Sequence, residues 1–131
     1  MNKTVKITSI YALSHAIVDF ACAFYMCAFF DGSIIKNYIL YNFFAFAFQV
    51  PLGVLLDKHR NYKYIGLLGT LLILLVYVIQ SNQTIIIPFV LGIGNALFHL
   101  EGGINIYEIS KPKSYLNGIF VAPRCNGNFF R

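Results

Sequence analysis

Charge is what this sequence has least of. Of its 131 residues only 11% are Asp, Glu, Lys or Arg, while 58% are hydrophobic. A soluble chain this short carries about a quarter charged residues, because its surface is large for its volume. A water-exposed surface is therefore excluded for most of the chain, and lipid is the solvent that suits it. Tryptophan is absent, so the interfacial part that Trp and Tyr share at membrane boundaries is left to nine tyrosines. The three cysteines, Cys22, Cys27 and Cys125, form no C-x-x-C pair, and Cys22 and Cys27 fall inside an apolar run, where a thiol behaves as a small hydrophobe. The chain also lacks a dinucleotide fingerprint, a phosphate loop and any nucleic-acid module, so neither a soluble cofactor nor nucleic acid is expected as a partner.

What is present is a series of apolar runs. Four are long enough to be read as membrane helices, over about 8–30, 34–56, 64–79 and 85–109, since a crossing takes roughly 20 helical residues. The third is short and would need Tyr62 and Tyr64 at the interface. Unpaired backbone cannot face hydrocarbon and no barrel-type alternation occurs, so helices are the only reading. A basic start at Lys3 and Lys6 and the string Ala21-Cys22-Ala23 resemble a cleaved leader, but the apolar run continues to Phe30 and encloses Asp19, which favours a retained helix. The fold class expected is all-α: a multi-pass membrane protein of four helices plus the start of a fifth over 116–123.

The formal net charge of +5 reads as topology. Lys3 and Lys6, then Lys58, Arg60 and Lys63, then Lys111 and Lys113 fall on one side of such a bundle, against Lys36 alone on the other. The positive-inside rule places the N-terminus and the Asp57–Lys63 connection in the cytoplasm, with the chain in the cell membrane.

Ionisable groups within apolar spans carry the functional signal, because each costs several kcal/mol in hydrocarbon, from about 2.5 upward. His15 and Asp19 are four apart and share one helix face with Ala12, Ala16, Cys22 and Ala23, opposite Ile17, Phe20 and Phe24. The fourth span has a comparable stripe of Gly92, Asn95, Ala96, His99, Gly102 and Gly103. Asp19 and His99 each lie about ten residues from a cytoplasmic end, hence both ~15 Å deep. A carboxylate and an imidazole at matching depth can pair, bind a polar solute or relay a proton. The structural alternative is that small residues merely let helices approach and that His15–Asp19 is a packing pair. Glu101, two residues beyond His99, is turned to nearly the opposite face in a regular helix, unless Gly102 and Gly103 loosen it. A metal site drawn from His15, Asp19, His99 and Glu101 matches no ligand motif and is not expected.

The second connection reads Gly53-Val-Leu-Leu-Asp57-Lys58-His59-Arg60-Asn61-Tyr62-Lys63. It resembles the signature between helices 2 and 3 of the major facilitator superfamily, in which a Gly, three residues, an Asp, a basic residue and a second Gly precede further basics. Gly53, Asp57 and Lys58 match in place, while Arg60 stands where the second glycine belongs. Pro51 suits a kinked helix of such a bundle. The run from Leu91 to Gly103, with its Phe98-His99-Leu100-Glu101, resembles the branch containing fosmidomycin-resistance-like exporters, with Leu100 in place of the branch's proline. The resemblance implies a secondary transporter of two six-helix halves, with Asp19, His15, His99, Glu101 and Asn95 as solute or proton pathway residues and Gly53, Asp57, Lys58 and Arg60 in the cytoplasmic loop. It implies a small solute, and protons, as partners.

The fifth span opens with Leu116-Asn-Gly118-Ile-Phe-Val-Ala-Pro123 and then turns polar over 124–131. Under one choice of synonymous codons for Pro123 to Arg131, deleting a single base yields Gly-Ala-Met-Gly-Ile-Phe-Leu. The expectation is therefore a transporter N-terminal fragment over 1–123 with an aberrant, frameshifted or truncated tail, not transport-competent by itself. A complete four-helix subunit acting in assembly is the alternative, and a membrane-embedded metal enzyme a remote third.

Overall fold

A computed structural model describes residues 3–29, 34–59, 64–80 and 85–110. Almost all of them are helical: α1 spans Lys3–Phe29, α2 Ile34–Ala47, α3 Gln49–His59, α4 Ile65–Ile79 and α5 Ile86–Ser110. Three segments, Lys3–Phe29, Ile34–Leu56 and Ile86–Ile109, are long and apolar enough to cross a membrane. With 15 residues, α4 extends only ~22 Å, short of the ~30 Å hydrocarbon core. Arg60, the Ser81–Thr84 connection, the expected fifth span over 116–123 and the tail over 124–131 lie outside the described residues.

The element boundaries have local causes. The first helix begins at Lys3, ahead of the expected Thr8, and its early hydroxyls do not end it. Thr8 Oγ1 and Ser9 Oγ donate back to the carbonyls of Thr4 and Val5 at 3.0 and 2.9 Å, so these polar groups are satisfied inside the helix. The single second span divides at Phe48 into α2 and α3. Pro51 causes this: it has no N–H for the carbonyl of Ala47, and its ring crowds that carbonyl. The rod is nonetheless bridged, by Phe48 N to Phe44 O at 3.2 Å and Leu52 N to Phe48 O at 3.0 Å. At the end of α4, Gln80 takes the left-handed conformation (φ 47°, ψ 42°) and donates its N–H to Val76 O at 3.0 Å.

The last described helix organises the others. From Leu91 to Leu97 α5 is buried at every position except Ile93, and it packs against α1, α2, α3 and α4. Glycines make the closest approach: an added Cβ at Gly94 would lie 2.8 Å from the carbonyl oxygen of Gly69, and one at Gly92 would lie 2.6 Å from Phe44 Cβ. One core joins Val18, Tyr25 and Met26 of α1 to Tyr41 and Ala45 of α2, Ile73 and Val76 of α4, and Leu91 of α5. Outward faces are apolar instead of charged, with Ile17, Phe20 and Phe24 on α1 and Leu67, Leu71 and Leu74 on α4 all exposed. Apolar surface on this scale suits lipid contact.

Candidate functional site: a carboxylate held between two imidazoles

Two i, i+4 pairs on antiparallel helices build the site. On α1, His15 and Asp19 lie on one face, and on α5, Asn95 and His99 do the same. Because the two helices run in opposite directions, Asp19 meets Asn95 in one layer and His15 meets His99 one turn away. Asp19 Oδ2 stands 3.0 Å from His15 Nε2, and Asp19 Oδ1 stands 3.3 Å from His99 Nε2. Asn95 Nδ2 donates to Asp19 Oδ1 at 3.2 Å and to the hydroxyl oxygen of Tyr41, from α2, at 2.6 Å. The two imidazoles meet edge to face, with ring centroids 4.2 Å apart.

Burial across this cluster is uneven. Asn95 and Tyr41 are 5% and 4% exposed, and the His15 and His99 side chains 3% and 17%, yet the Asp19 side chain is 46% exposed. The carboxylate thus has its back to α5 and its front open. An ionised carboxylate facing hydrocarbon would carry a large cost. With both imidazoles neutral the cluster carries one negative charge. Taking up one proton makes it a neutral carboxylate–imidazolium pair. The same three donors, His15, Asp19 and His99, also lie within 4.8 Å of one another, close enough to share one cation.

Glu101 does not join them. As a regular helix requires, it faces away from His99, and its Oε2 accepts the backbone N–H of Gly66 in the first turn of α4 at 2.6 Å. Gly102 and Gly103 do not interrupt α5. Glu101 therefore belongs to a second polar layer, in which Asn105 Nδ2 donates to Glu101 Oε1 at 3.4 Å and to the Tyr11 hydroxyl at 3.1 Å. A carboxylate on free N–H groups at a helix start is electrostatically favourable, and a side chain on Gly66 would run into it. Of the loop residues, Gly53 lies on α3 with Leu100 Cδ2 3.5 Å from where a Cβ would be. Asp57 and Lys58 fall in the last turn of α3, and Arg60 lies outside the described residues.

Tyr41 is the member that sequence reading missed. The boundary role expected of the tyrosines does not fit Tyr25 and Tyr41, which are buried in the core. The available signal was spacing, since Asn37, Tyr41 and Ala45, each four apart, are the buried residues of α2. Comparison of the chain with protein-family models, with curated proteins and with solved structures gave no match in any of the three.

Proposed function

We propose that this chain is part of a secondary active transporter of the major facilitator type, in which the Asp19 cluster lines the path of a small polar solute or a proton. One observation carries the reading: a carboxylate near the middle of α1, packed among helices α1, α2 and α5, keeps nearly half of its side chain open. Within a membrane a purely structural ion pair is expected to be closed off by its bundle, because an ionised carboxylate facing hydrocarbon is costly. An open one at this depth suits a group that must meet something mobile. The Gly53–Lys63 resemblance and the positive-inside pattern support the same reading, with the N-terminus cytoplasmic.

Water accessibility tests it. Single cysteines at Ala16→Cys and Ala23→Cys, beside Asp19, are placed in a background of Cys22→Ala, Cys27→Ser and Cys125→Ser and probed in membranes with a charged thiol reagent. A solute path gives labelling far above that of Phe20→Cys on the outward apolar face. Equal, negligible labelling at all three positions would mean a dry face. The reading as a four-helix subunit that packs against another protein would then replace this one.

A further inference from the structure

We propose that His15 Nε2, His99 Nε2 and the Asp19 carboxylate form a binding site for a divalent transition-metal cation of the zinc class. The inference does not depend on the transport reading, because it concerns equilibrium binding alone.

The argument starts from donor geometry. Zinc binds imidazole nitrogen and carboxylate oxygen at about 2.0–2.2 Å, so tetrahedral donors around it stand ~3.3 Å apart. Here the carboxylate oxygens lie 3.0 and 3.3 Å from the two imidazole nitrogens, and all three donors fall within 4.8 Å. The two carboxylate–imidazole separations already match a shared centre, and the remaining donor pair, within 4.8 Å, has to draw closer by side-chain rotation. The donors come from two helices, their positions fixed by the i, i+4 spacings His15–Asp19 and Asn95–His99 and by the packing of α1 on α5, so they hold station without a loop. Two imidazoles and one carboxylate select zinc-like ions over calcium or magnesium, which take oxygen ligands.

A second feature points the same way. The side-chain oxygen of Asn95, on a residue 5% exposed, is buried and accepts no hydrogen bond among the described residues. Turning that amide over would put its oxygen where the nitrogen now lies, 2.6 Å from the Tyr41 hydroxyl and 3.2 Å from Asp19 Oδ1. Tyr41 would then donate to it, but two oxygens would face each other without a proton between them. A cation on Asp19 removes that conflict, and it offers the amide oxygen a place beside the metal. The exposed front of Asp19 leaves the approach and one coordination position open. Since Asp19 is the single carboxylate of the set, the bound ion keeps one net positive charge, which favours an anionic group at that open position.

The test uses Co2+ as a spectroscopic probe on the purified full chain in detergent, in the Cys22→Ala, Cys27→Ser, Cys125→Ser background so that thiols cannot contribute. Visible absorption is followed during titration, and Zn2+ is then added to displace the cobalt. One Co2+ per chain with the strong visible bands of a tetrahedral site, bleached by Zn2+, is the expected result. His15→Gln and His99→Gln are each expected to weaken binding by ~100-fold or more, while helical content by circular dichroism stays unchanged. A folded chain that shows no saturable cobalt spectrum would overturn the inference, as would binding that survives both histidine substitutions. Neither result bears on the water-accessibility outcome at Ala16 and Ala23, so failure here and failure of the transport reading are separately visible.

Discussion

At the scale of single residues, the contacts of α5 make the sharpest predictions. Gly94 and Gly69 face each other backbone to backbone, so Gly94→Ala is expected to destabilise the fold by about 1–3 kcal/mol, as overpacking does. Nothing lies within 4 Å of a Cβ added at Gly103, so Gly103→Ala is expected to be neutral or to stabilise by about 0.5–1 kcal/mol through helix propensity. Thermal melting in detergent compares the two, and equal effects would show that the glycine contact is not what limits helix approach. Glu101→Ala removes the acceptor on Gly66 N–H and is expected to cost about 1.5–3 kcal/mol, the range for bonds to a charged group. Glu101→Gln keeps an acceptor oxygen and should lose less, which the same melts would read. His15, Asp19, Asn95 and His99 were legible because ionisable and amide groups are rare in apolar runs and the helical period put them in register. Tyr41 was not, since one tyrosine among nine looks like any other until its partner on another helix is known. The relation of Glu101 to Gly66 is likewise a long-range contact that no spacing announces.

At the scale of elements, two backbone features can be tested. Pro51→Ala supplies the N–H that the carbonyl of Ala47 lacks, so α2 and α3 should fuse through Phe48. Spin labels at Tyr38→Cys and Val54→Cys, both on exposed positions, would report a shifted distance in the alanine variant. An unchanged distance would mean that packing on α5, and not the proline, sets the break. Gln80 is the described non-glycine residue at positive φ, a conformation that costs an L-residue roughly 1–2 kcal/mol. Gln80→Gly is expected to raise stability by about 0.5 kcal/mol after the entropy of glycine is set against that strain. Among the described residues the apolar runs mark where helices lie, because run length is a direct signal, but 34–56 reads as one span where the structure has α2 and α3. It extended none far enough at Lys3, where threonine and serine hydroxyls bond within the helix and leave no boundary to see. The proline was visible as a kink but not as a division into two elements.

For the whole molecule, the short α4 decides the topology. If all four segments cross, a reporter placed at the N-terminus and one inserted after Ser110 lie on the same side of the membrane. If α4 does not cross, they lie on opposite sides. The tyrosines and the excess of lysine and arginine lead us to expect the first outcome, with both reporters cytoplasmic and one in the Ser81–Thr84 connection outside. Oriented-fusion assays read this directly. The central place of α5 has a consequence for synthesis. Every other described helix packs on α5, yet α5 follows all of them in the chain, so α1 to α4 are synthesised before the surface they share exists. During that interval Asp19 has His15 from its own helix beside it but neither Asn95 nor His99. Until its last described helix is made, the nascent chain therefore carries the Asp19 carboxylate with one imidazole beside it and lacks the amide and the second imidazole that complete the cluster.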